Sequence, residues 1–156
     1  MEFHRLAPQR PCDIWTYSDF EPGPAFPRRF RRMVFAYDFP TGECLFKDSP
    51  HYFVTKELGS SISARGLSGA SRRPVETRVS DVYTQSYGTP TSVPHVEQLI
   101  VTGAAGEDDF GLQDQVALIV SDRALALLRQ HGLAQAQIFP YDPAYRVPTM
   151  EELLNR

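Results

Sequence analysis

Several stretches of this chain carry residue types that could do chemistry, and spacing decides what each is worth. His95 and Glu97 form an H-x-E pair. In zinc deaminases that pair works with a downstream P-C-x-x-C, where His and two Cys hold the metal and Glu moves protons. No cysteine follows Glu97, and His4, His51, His95 and His131 show no ligand spacing, so no metal site is expected. Leu99 to Gly106 has the form of a strand followed by a glycine turn. In dinucleotide-binding loops such glycines let backbone N–H groups approach a pyrophosphate at a helix start. Here GxGxxG is absent, and Glu107-Asp108-Asp109 would repel a phosphate. The expectation is an acidic turn and no cofactor. G-x-S-x-G is also absent. Cys12 or Cys44 could meet a histidine only in space, against the plainer reading of a small buried hydrophobe.

Two charged stretches suit binding rather than catalysis. Arg28-Arg29-Phe30-Arg31-Arg32 could contact phosphate or RNA through charge and stacking. The alternative is an exposed lead into the next strand with Phe30 packed, which a net charge of −3 favours. Glu107, Asp108 and Asp109, extended by Asp114, could capture a basic partner, since complementary charge speeds association. Residues 101–156 hold 8 acidic and 4 basic residues, which reinforces that reading. Interfaces rest on a few aromatic or Arg anchors. Trp15 and Tyr17 therefore join these four carboxylates as candidate partner-binding residues.

The elements that must position these groups can be read from periodicity and punctuation. Five prolines between Pro8 and Pro27 make residues 1–32 an irregular, wrapped arm with room for one short strand. Met33–Phe39, the turn Pro40-Thr41-Gly42, and Cys44–Phe46 read as a hairpin. Residues 84–94 read as a loop, 96–101 as a strand, 103–114 as the acidic turn and 116–120 as a buried strand. Ser121 then caps a helix over Asp122–His131, whose apolar face is Ala124, Leu125, Leu127 and Leu128, and Gly132 ends it. Ala136–Phe139 follows as a strand.

Shifting the chain by 66 residues lays 53–76 over 119–142 with five identities in 24 positions. The matches fall on the cap, the helix face, the closing Gly-Leu and the strand-ending proline. The chain is thus expected to be one α+β domain over 1–156, with a mixed, largely antiparallel sheet and two helices. The echo makes 53–76 and 119–142 candidates for two related strand–helix–strand units.

The segment Leu118–Leu133, closing on Phe139-Pro140, resembles the C-terminal signature of small bacterial immunity proteins encoded beside polymorphic toxins. It is similar also to the related double-CXXCG paralogous family. Gly66-Leu67-Ser68-Gly69-Ala70 and Arg73-Pro74-Val75 resemble the G-L-x-G … R-P-V stretch of those families. The CXXCG pairs are absent, so no zinc-ribbon insertion carries over. The resemblance implies an antidote that binds one cognate protein toxin by stoichiometric occlusion, and it carries over no catalytic residue.

Composition agrees with a cytoplasmic, non-enzymatic binder. Two cysteines are too few for a disulfide framework, Met1–Cys12 has no apolar stretch of the secretory kind, and no run approaches a membrane span. Neither a nucleic-acid nor a membrane partner is expected. A small enzyme with a spatially assembled site, or an RNA-associated module using residues 28–32, are the alternatives.

Overall fold

Thr55 and Ser121 each close an apolar strand and open a helix. Their side chains accept from Leu58 N and Ala124 N, satisfying amides that the first helical turn leaves unpaired. In the computed structural model, which describes residues 1–23, 28–149, 152, 154 and 155, these caps mark two similar units. Residues 24–27 of the expected arm lie outside the described residues.

In chain order the elements are β1 (Phe3–Ala7), β2 (Cys12–Asp13), β3 (Asp19–Phe20), β4 (Phe30–Arg32), β5 (Val34–Tyr37), β6 (Leu45–Asp48), β7 (His51–Thr55), α1 (Lys56–Ala64), β8 (Ala70–Pro74), β9 (Glu76–Val79), α2 (Asp81–Tyr87), β10 (Val96–Val101), β11 (Phe110–Gln113), β12 (Ala117–Ser121), α3 (Asp122–His131) and β13 (Gln137–Pro140). They form two four-stranded sheets, ordered β6-β7-β10-β8 and β11-β12-β1-β13, one three-stranded sheet β2-β5-β9, and the ribbon β3-β4. All pairs are antiparallel except β5–β9.

Both four-stranded sheets are built alike. In each, a hairpin leads through a helix to a strand that skips one place, and a strand from elsewhere fills the gap. The registers coincide at the 66-residue shift. Thr55 faces Val96 as Ser121 faces Phe3, and Tyr52 faces Leu99 as Leu118 faces Leu6. On the other side Pro74 faces Glu97 as Pro140 faces His4. The two helices pack together, α1 on the first sheet and α3 on the second, over one core with Leu58, Ile62, Leu67, Leu118, Val120, Leu127 and Leu128 among its members. Tyr52 binds the sheets together: its hydroxyl donates to Val116 O at 2.6 Å and accepts from Leu118 N at 3.2 Å.

Three expectations need correction. The chain has three helices among the described residues, not two, and several small sheets rather than one mixed sheet. The extra helix, α2, overlaps a stretch rich in Thr and Ser that reads as loop by propensity. Ser80 caps it by accepting from Tyr83 N, Tyr83 is buried, and Gly88 ends it at a positive φ, so local caps and tertiary burial override composition. The 34–46 hairpin does not form. β5 pairs with β2 and β9, whereas β6 turns through Ser49-Pro50 into β7. Phe35 and Phe46 do meet, at 5.6 Å between ring centroids, but across packed sheets and not along a ladder. Finally, the arm carries four strands where one short strand is expected: β1 is an inner strand held between β12 and β13, and the short β2, β3 and β4 follow it.

Candidate functional site

Among the described residues, two segments have no counterpart between the units: residues 8–42, before the first hairpin, and 75–95, between β8 and β10. They pack on each other. β5 and β9 pair in parallel, Val96 N donates to Thr77 Oγ1 at 3.2 Å, and Asp81 N donates to the Tyr17 hydroxyl at 2.9 Å. The Arg78 guanidinium lies 3.9 Å from the centre of the Tyr17 ring, a cation–π contact. Together they cover the outer face of the first sheet with a second apolar cluster containing Cys12, Ile14, Phe35, Tyr37, Phe46, Phe53 and Tyr83.

At the rim of that cluster the aromatics are left partly open. Trp15 stacks on Phe20 at 5.9 Å with the rings 6° from parallel, and lies 5.4 Å from Phe30. All three are half-buried. Asp13 fixes the approach by accepting from Trp15 N at 2.7 Å, an Asx turn. Buried Asp48 fixes the indole: it accepts from Trp15 Nε1 at 3.3 Å, from Arg10 Nε at 3.0 Å and from Ile14 N at 3.2 Å. His51 lies under the stack, edge-on to Phe30 at 5.4 Å. Its Nδ1 meets Gln98 Nε2 at 3.4 Å, and Gln98 Oε1 accepts from Arg73 at 2.8 Å. With Nδ1 accepting, Nε2 carries the proton, and that buried N–H has no hydrogen-bond partner. Burial pushes the imidazole below its ordinary pKa; Asp48 opposes the shift and Arg73 adds to it.

Arginines surround the ledge. Arg28 lies 4.1 Å over Phe20. Arg32 bridges Glu76 and Asp19. Beside Phe30 a groove of about 340 Å³ is lined by Arg31, Arg32, Arg73, Val75 and Glu76, among others.

The six sequence-predicted partner residues fall into two groups that no hydrogen bond or ring contact joins among the described residues. Trp15 and Tyr17 belong to the face just described. Of the carboxylates, Glu107 and Asp114 are exposed, and Asp114 accepts from Val147 N at 2.9 Å. Asp108 is half-buried and accepts from Ala104 N at 2.8 Å. Asp109 is turned inward. It is 4% exposed and accepts from Ser68 N at 2.9 Å, Ser121 Oγ at 2.6 Å, and Arg123 Nε and Nη2 at 2.8 and 2.6 Å. The Arg123 guanidinium, helped by the Ser121 hydroxyl and the Ser68 amide, holds its carboxyl well below the usual range. Its surroundings assign it to the join between the units.

The remaining motifs resolve into structure. Gly69 and Gly103 are there because three backbones meet: a Cβ on either would collide with the Phe110 carbonyl oxygen. Glu97 pairs with Arg72 at 2.6 Å, and His95 is exposed. Both thiols are buried; desolvation pushes Cys44 up to about 12 and Cys12 higher still, which disfavours the nucleophilic thiolate. One cluster the sequence spacing hid is Glu2, His4 and Asp122, whose ligand-type atoms lie within 4.8 Å of one another. His4 Nε2 and Asp122 Oδ1 are already paired there at 2.7 Å, and Glu2 N donates to the same carboxylate.

No protein-family model matches the chain, and no curated protein matches it. None of the described helices is long and apolar enough to cross a membrane. Sequence reasoning missed Phe20, Asp48, His51 and Arg73. The available signal was the Arg28–Arg32 run with Phe30 inside it, which gained meaning only once β8 was placed beside it.

Proposed function

We propose that this protein binds one cognate protein toxin stoichiometrically and occludes it, as the immunity proteins its sequence resembles do, and that it acts in the cytoplasm. The observation that carries the reading is where the chain spends its additions. Two paired units make a rigid base, and the segments outside them end in a half-open Trp15–Phe20–Phe30 stack rimmed by arginines. Trp, Tyr and Arg are the residues on which binding energy concentrates, because they bring large rigid area and directional polar groups together. Burying such a stack against a partner removes apolar surface from water, and the buried Asp48 and half-buried His51 beneath it limit the ordering cost.

The experiment is co-purification with the product of a neighbouring toxin gene, followed by calorimetry. A 1:1 complex is expected, with Trp15→Ala weakening it by about thirtyfold, the size of a hot-spot loss. Charge reversal at Glu107 and Asp108 tests the other candidate surface through the association rate. Absence of a complex with any adjacent toxin, or turnover by the isolated chain, overturns the reading. An RNA-associated role for residues 28–32 has the arginine groove in its favour, and predicts a steep salt dependence of oligonucleotide binding.

A further inference from the structure

We infer that the groove beside Phe30 recognises an acidic segment of a protein partner, seating its carboxylates between Arg31 and Arg73. The inference rests on the protein-binding reading and adds the chemistry of the piece that is bound.

The groove lies where β4 passes the bend from β8 to β9, with Phe30, Met33, Pro74 and Val75 on its apolar sides. Three arginines and one carboxylate line it. Arg32 and Glu76 neutralise each other as an ion pair. Two positive charges therefore remain, Arg31 and Arg73. Arg73 is exposed and spends one donor on Gln98 at 2.8 Å, which steadies the guanidinium while leaving its other N–H groups without a partner among the described residues. Arg31 is exposed and has no ion-pair or hydrogen-bond partner among the described residues. A guanidinium presents a planar fork that matches a carboxylate bidentately, and the match strengthens where apolar walls exclude water. Phe30, Met33, Pro74 and Val75 supply such walls, and Trp15 packs on Phe30 from outside the groove. Phosphate would suit a guanidinium equally. A nucleic-acid ligand, however, requires a continuous basic track along its backbone, and the groove's own Glu76, with exposed Asp19 and Glu21 on and beside β3, interrupts one. A segment of alternating carboxylates and apolar side chains fits both the charge and the walls.

The single tryptophan of the chain is Trp15, so its fluorescence reports on this face alone. The probe is a synthetic twelve-residue peptide alternating Glu with Val and Gly, titrated at low and moderate salt beside a neutral peptide of Gln in place of Glu and a single-stranded oligonucleotide of equal charge. The expected result is a saturable change in Trp15 emission with the Glu peptide only. Binding should weaken about tenfold in Arg31→Glu and in Arg73→Glu, and weaken with salt. Arg31→Glu is the decisive variant, because Arg31 supports no other described side chain; circular dichroism checks that both variants fold. Equal binding of the Gln peptide, tighter binding of the oligonucleotide, or unchanged affinity in Arg31→Glu overturns the inference. Should no peptide bind while the toxin complex forms 1:1, the acidic-segment inference fails and the binding reading stands. Should the toxin complex itself not form, the reading fails whatever the peptide does.

Discussion

His51 sits at the rim of the second apolar cluster with a polar atom unmet. Its Nε2 is buried without a hydrogen-bond partner, Trp15 and Phe30 pack on its ring, and burial pushes its pKa below the ordinary value. The consequence for stability has a definite sign. In the unfolded chain an imidazole takes a proton near pH ~6.5, whereas in the folded chain it resists until lower pH. Between those two points the unfolded state binds more protons, so stability is complete above the unfolded value and falls as pH is lowered toward the folded one. Glutamine at this position keeps an amide for Gln98 and removes the titration. Urea midpoints measured from pH 7.5 to 5 are therefore expected to drop more steeply for the wild type than for His51→Gln. Parallel curves would show that His51 does not carry the acid sensitivity. Because His51 supports the Trp15 stack, partner affinity should weaken over the same range.

At the level of elements, two buried carboxylates lock the units together from opposite sides. Asp109, just before β11, takes the Ser68 amide that follows α1. Glu43, just before β6, takes the Ala134 and Gln135 amides that follow α3, at 2.9 and 2.7 Å. Each helix end is thus held by the other unit, and α1 and α3 are tied further by Arg65 to Gln130 and by Ser61 to His131. Asp109→Ala strands the Ser68 amide and the Ser121 hydroxyl; Glu43→Ala strands two amides. Each should cost about 1.5–3 kcal/mol, since several hydrogen bonds to a charged acceptor are lost at once. Because both carboxylates hold the same join, the double variant should depart from additivity. Denaturant titration of the four proteins checks this, and a loss below about 1 kcal/mol for either single variant would remove that carboxylate from the join. These locks were not legible in the sequence, and the reason is physical. Asp109 sits in a run of three carboxylates that reads as a solvated turn; only the arrival of Ser68 and Arg123 from distant positions shows which one turns inward. By contrast α3 was fully legible, because cap, apolar stripe and terminal glycine are all local to it. α2 was not, since Thr84, Ser86 and Gly88 argue for loop and the Ser80 cap overrules them only together with the burial of Tyr83.

Across the whole molecule, the contrast is between strands held on both edges and segments held on one. β1, β5, β7, β10 and β12 each lie between two neighbours. The β3–β4 ribbon has two and three residues, and α2 has seven, with Val82 and Tyr87 59% exposed. Local opening free energy follows buried contact and backbone protection, so these additions belong to the low-stability end of the molecule. That division explains which parts of the candidate site the sequence disclosed. Trp15 and Tyr17 stood out by type, as large amphipathic rings in a proline-rich arm. Asp48, His51 and Arg73 did not, because they act as a platform only after the arm folds back onto the first sheet. It also yields a test that needs no partner in its first stage. In hydrogen exchange read by mass spectrometry, amides of the five inner strands should exchange at rates set by global unfolding, and those of residues 13–20, 30–32 and 81–87 several orders of magnitude faster. Adding the partner should then raise protection in the first two of these segments and around Arg73, while the inner strands change little. Uniform protection in the free protein would remove the distinction between base and addition, and protection appearing instead at 107–114 would move the contact to the acidic loop.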